Sequence, residues 1–184
     1  MVVLGMLVIA VVPLATEAKP DLSTRVPLVR AIGKTTVEGE SDPRLWARVL
    51  ALLPSVPTRI VILDLNSLTP ASRQRVRGLE AFVLAGHSSV FVIRQGSTLR
   101  LAELGDVVDV LVLASVIWHE MAHLEGLGET AALGREQELW REFVRSGRVD
   151  AAAGMTYAAR LEEERCPPGG RPVGEVRGSA AITP

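Results

Sequence analysis

The run His119-Glu120-Met121-Ala122-His123 places two of the chain's three histidines four residues apart, with a glutamate directly after the first. Four helical residues make roughly one turn, so on a helix both imidazoles share a face and reach the same ion. A zinc ion held there lowers the pKa of a water, and the neighbouring carboxylate takes its proton. The pattern therefore assigns His119 and His123 as zinc ligands and Glu120 as a general base. Two features set it apart from a chance spacing of histidines. The motif sits in an apolar stretch that continues from Val107 to Gly126 without a breaker. Glu120 would otherwise be a carboxylate inside an apolar helix, which is costly unless it is paired or coordinated.

Catalytic zinc takes three protein ligands and keeps one position open. Cys166 is the only cysteine, which excludes a cysteine zinc knuckle and any internal disulfide, so the third ligand must be a histidine or a carboxylate. His87 lies beside Ser88 and Ser89 on an expected turn and reads as a surface histidine. Gly126-Leu127-Gly128 ends the motif helix and permits a sharp reversal. A second helix then starts at Glu129, and Ala132, Leu133, Trp140, Phe143 and Val144 form the face turned back onto the first. Glu129 and Glu136 share that face. Glu138 and Glu142 point away, Glu138 pairing with Arg135 or Arg141 as a solvated charge. Seven helical residues rise about 10.5 Å, so only one of Glu129 and Glu136 can touch the ion. Glu129 is favoured, because the glycine turn directs it toward His123 and a carboxylate suits a helix N-terminus. Glu136 would then hold the other ring nitrogen of His119. The reversed assignment, with Glu136 as third ligand, stays open.

With Val116 three residues before the first histidine and uncharged Ile117, Met121, Ala122 and Leu124 around it, the stretch resembles the zincin metallopeptidases. Glu125 departs from the family pattern, which places a hydrophobic residue there. The resemblance covers about residues 116–140. The run Glu129-Thr130-Ala131-Ala132 is similar to the Glu-x-x-Ala run of the gluzincin branch. The metzincin branch is a lesser match, through Gly126, Glu129 and a Met-turn-like Gly154-Met155-Thr156-Tyr157. The resemblance implies a zinc-dependent peptide-bond hydrolase with an extended peptide or protein substrate laid along an edge strand, expected at residues 90–94. Tyr157 is a candidate donor to an oxyanion, or else a buried tyrosine with a structural hydrogen bond. A non-catalytic metal-binding module with the same histidine ligands is the alternative.

The elements that must position these groups follow from periodicity. Residues 42–53 carry apolar positions at helical spacing, and residues 59–64 form a β-branched run that suits a buried strand. Residues 69–77 read as a solvated helix or loop. Residues 79–84 and 90–94 are strands about the turn at Gly86, and residues 98–101 are a candidate third strand. The motif helix, buried on most sides, and the helix from Glu129 follow. Residues 151–164 then form a helix with Met155 and Leu161 in the core. This order argues for an α+β domain: a short, mostly antiparallel sheet packed on a buried motif helix and a following antiparallel helix.

The chain of 184 residues carries 20 Lys and Arg against 21 Asp and Glu, a net charge of -1 that excludes a basic nucleic-acid footprint. One domain, residues 19–165, and a monomeric state are expected. Residues 1–18 carry an apolar run before Pro13 and small residues, the order of a signal peptide without a basic leader, which implies export and a transient membrane contact. A buried strand in a cytoplasmic protein is the other reading. Residues 166–184, rich in Gly and Pro, read as a disordered tail.

Overall fold

The computed structural model describes residues 29–165, so the expected signal segment and tail lie outside the described residues. Short runs rich in β-branched residues build the sheet. Its strands are Val29–Ile32 (β1), Thr35–Glu38 (β2), Arg59–Leu63 (β3), Ala81–Val83 (β4) and Ser89–Ile93 (β5), in the order β1-β2-β3-β5-β4. The outer pairs are antiparallel and the inner pairs parallel, so the sheet is mixed rather than mostly antiparallel. Parallel neighbours need a crossover. The helix Pro43–Leu50 (α1) supplies it between β2 and β3, and a 3-10 turn, the helix Pro70–Arg75 (α2) and β4 intervene between β3 and β5. This topology corrects the expected substrate edge: β5 is interior, and β4 is the outer strand beside it.

Side chains alternate across the sheet. Ile60, Ile62, Val90, Val92, Ala81 and Val83 belong to the main core, while Phe82 and Ile93 join Leu79 in a small cluster on the other side. Gly39, with φ +112°, lies so close to Ile62 that a Cβ there would meet its Cβ at 2.8 Å.

Four further helices follow among the described residues: Ser97–Leu104 (α3), Val107–Leu124 (α4), Glu129–Arg145 (α5) and Ala151–Arg165 (α6). The expected third strand at residues 98–101 is part of α3. The Glu80 carboxylate accepts from the Ser97 and Thr98 backbone N–H groups, satisfying two free donors of the first turn, and Leu99 and Ala102 then face the core at helical spacing. Asp106 caps α4 by accepting from the Val108 N–H at 2.7 Å. α4 packs against α1, α3, α5, β4 and β5, which is why its apolar positions run round most of its circumference. It is long and apolar enough to span a membrane by composition, yet here most of it is interior to the domain. α6 packs on α5. Met155 is 62% exposed rather than in the core, because Gly154, not Met155, is the residue at the close approach to Val144. Gly154 to Tyr157 are helical, so no Met-turn forms.

Candidate metal centre

The last two turns of α4 carry the histidine motif. His119 and Glu120 are each only 1% exposed. α4 ends in a Schellman arrangement, in which the Leu127 N–H donates to the Ala122 carbonyl and the Gly126 N–H to the His123 carbonyl, both at 3.0 Å. Gly126 adopts φ +82° there, a conformation an L side chain resists. This turn brings the Leu127 carbonyl to 2.9 Å from His123 Nδ1. A carbonyl only accepts, so Nδ1 donates and His123 Nε2 is left with its lone pair.

His119 is oriented from the other side. Its Nδ1 lies 3.1 Å from Glu136 Oε2. Glu136, 3% exposed on α5, also receives the Tyr157 hydroxyl at 2.9 Å on Oε1, with Ser115 Oγ at 3.1 Å from the same oxygen. Both imidazoles thus turn Nε2 inward, and the two nitrogens stand 3.2 Å apart. Glu129, at the first position of α5, completes the group with Oε1 at 3.6 Å from His119 Nε2 and Oε2 at 3.3 Å from His123 Nε2.

One ligand atom from each of His119, His123 and Glu129 lies within 4.8 Å of the others. Two nitrogens bound tetrahedrally to zinc at about 2.0–2.1 Å stand roughly 3.3 Å apart, close to the separation found here. Two facing lone pairs at this distance repel unless a cation or a proton sits between them, so the donor set fits a divalent ion. The metal-free electrostatics tell the same story. Burial pushes the His119 pKa down, but the Glu129 and Glu136 carboxylates more than offset it and raise it to about 10. His123 is raised by its hydrogen bond to Glu129. Burial works to raise Glu129, yet the two imidazoles bring it down to about 2.

Glu120 differs. Burial raises it to about 7 against the pull of His119 and His123, and its Oε2 has no hydrogen-bond partner among the described residues. Beside the group, a cavity of about 280 Å³ is lined by His123, Leu124 and Leu127 on one wall and by Val83, Leu84 and His87 on the other. His87 is exposed on the β4–β5 turn, stacked edge-on to Phe91, and belongs to this wall rather than to the ligand group. A larger hollow of about 620 Å³ between α5 and α6 contains none of the motif residues.

Glu138 and Glu142 are exposed as expected, but Arg135 pairs with Glu125 rather than with Glu138. Glu125, which departs from the zincin pattern, is therefore a solvated partner of a surface arginine. Two contributors carried no sequence signal for their roles, the Leu127 carbonyl and Ser115, while the Tyr157 hydroxyl makes the structural hydrogen bond that was one of its two expected roles, with Glu136 as the partner. No family model, curated protein or solved structure matches this chain.

Proposed function

We propose that this chain is a zinc-dependent peptide-bond hydrolase of the zincin kind. The observation that carries the reading is the convergence of His119, His123 and Glu129 donor atoms beside a buried Glu120 whose Oε2 is unpartnered. His119 Nε2, His123 Nε2 and a Glu129 oxygen would hold the ion. When bound, zinc supplies a Lewis acid that makes water nucleophilic near neutral pH and polarises a carbonyl.

The chain's own groups do the rest. Glu120 accepts the proton of the attacking water on its carboxylate and passes it to the leaving amine. A pKa raised to about 7 suits a group that must both take and give a proton near neutrality. Glu129, held well below the ordinary carboxylate range, stays ionised as a ligand. Glu136 and the Leu127 carbonyl fix the two ring tautomers. The substrate chain lies along β4, the outer strand, whose Val83 borders the cavity that His123 opens into.

The test is zinc content and hydrolysis of a mixed peptide pool by purified wild-type chain and Glu120→Gln. The variant is expected to keep one zinc per chain and lose hydrolysis. Equal hydrolysis in the variant would remove Glu120 as the base. Zinc binding with no hydrolysis by either protein would select the non-catalytic metal-binding module.

A further inference from the structure

We infer that Tyr157 is a positioning residue of the metal centre, through which α6 fixes the orientation of His119. The inference rests on the metal-binding reading above. A carboxylate's terminal torsion is broad, so packing alone does not decide which oxygen of Glu136 faces the imidazole. Hydrogen bonds must do so. Glu136 Oε2 meets His119 Nδ1 at 3.1 Å, which leaves Oε1 to be pinned. Ser115 Oγ is 3.1 Å from Oε1 but 2.9 Å from the Val112 carbonyl, so its single hydrogen is divided between two acceptors. The Tyr157 hydroxyl, 2.9 Å from Oε1, is the donor that holds the carboxylate plane. Its ring is stacked on Trp140 of α5 with centroids 4.2 Å apart, which sets the reach of the hydroxyl.

The chain of contacts therefore runs from α6 through Tyr157, Glu136 and His119 Nδ1 to the Nε2 that faces the ligand group. Partners of this type tune ligand basicity and ring orientation, and losing one costs about 10–100-fold in metal affinity. Tyr157 stands one step further out, so an effect near tenfold is expected. Ser115→Ala, which removes only a shared donor, should do less.

The experiment compares wild-type chain with Tyr157→Phe, which keeps the stacked ring, in two states. In the metal-free state the downfield Nδ1 proton resonance of His119 is recorded. In the loaded state the zinc dissociation constant and the visible bands of the cobalt-substituted protein are measured. The variant is expected to show a displaced Nδ1 resonance, about tenfold weaker zinc binding and displaced cobalt bands, with the secondary structure retained. An unchanged resonance together with unchanged cobalt bands overturns the inference. If wild-type chain binds no divalent metal, the metal reading fails instead, and the Nδ1 resonance alone decides whether Tyr157 orients His119. Tyr157 is the only tyrosine of the chain, so 3-fluorotyrosine incorporation is site-specific and gives a second, fold-preserving measurement. The more acidic phenol should displace the same resonance, and no displacement counts against the inference.

Discussion

Two glutamates are buried near His119, Glu136 on α5 and Glu120 on α4, and their surroundings differ. On the side packed against α5, each oxygen of Glu136 meets a donor: Oε2 the imidazole, Oε1 the Tyr157 and Ser115 hydroxyls. Glu120 is as deeply buried, but one of its oxygens has no partner among the described residues. An unmet buried acceptor costs about 1–3 kcal/mol, so a fold that keeps one pays in stability for something other than stability. The satisfied carboxylate holds His119 in place, and the unsatisfied one is the group the proposed hydrolase reading uses as its base.

Breaking this contrast should produce graded effects. Glu120→Gln is expected to lower peptide hydrolysis by about 10²–10⁴-fold, the usual contribution of a general acid-base group, with zinc content and melting temperature held or raised. Glu136→Ala should do the reverse. Zinc affinity should fall about 10–100-fold, and the metal-free protein should lose about 1–3 kcal/mol in denaturant melts because three donors lose their acceptor. Gly126→Ala forces an L side chain into φ +82° and should cost about 1–2 kcal/mol in the same melts. It should also weaken zinc binding by moving the Leu127 carbonyl off His123.

The metal-free protein should have a pH profile of stability set by the same cluster. Glu129 sits at about 2 against an ordinary 4.5, so its contribution is complete above 4.5 and is lost as pH falls toward 2. His119 sits at about 10 against 6.5, so its contribution is complete below 6.5 and is lost as pH rises toward 10. Glu120, at about 7 against 4.5, adds a cost that grows as pH rises through that interval. Thermal melts after chelation should therefore be highest near pH 4.5, fall below it as Glu129 protonates, and decline above it as Glu120 ionises and then His119 deprotonates, more gently when zinc is bound. A flat profile from acid to alkaline pH would contradict the cluster's electrostatics. The smallest effect is expected from Glu125→Ala, which removes a solvated pair with Arg135 and should leave melting and zinc binding unchanged.

The parts that could be read from sequence were local ones: the apolar runs that became β3, β4 and β5, and above all whatever repeats along one helix. The apolar run of α4, the four-residue spacing of His119 and His123, and the seven-residue spacing that puts Glu129 and Glu136 on one face of α5 are local properties of a 3.6-residue period. Long-range pairings were not legible. β1 and β2 are four residues each, and nothing in such short runs says that β2 lies parallel to β3. Thr98-Leu99-Arg100-Leu101 alternates like a strand, but Glu80, seventeen residues upstream of Ser97, caps it as a helix. The same limit hid the substrate edge, because whether β4 or β5 is outermost depends on how the chain returns from β3. Tyr157 was visible as a residue type, while its target depended on how α6 crosses α5 at Gly154.

In the proposed metal centre one divalent ion is held by His119, His123 and Glu129. An anomalous difference map at the zinc absorption edge, from crystals of the protein grown with zinc, tests it most directly. One peak per chain, about 2.0–2.2 Å from both Nε2 atoms and a Glu129 oxygen, is the expected result. A map with no peak between the imidazoles, or with Glu129 turned away and Glu136 or another side chain bound in its place, would contradict it.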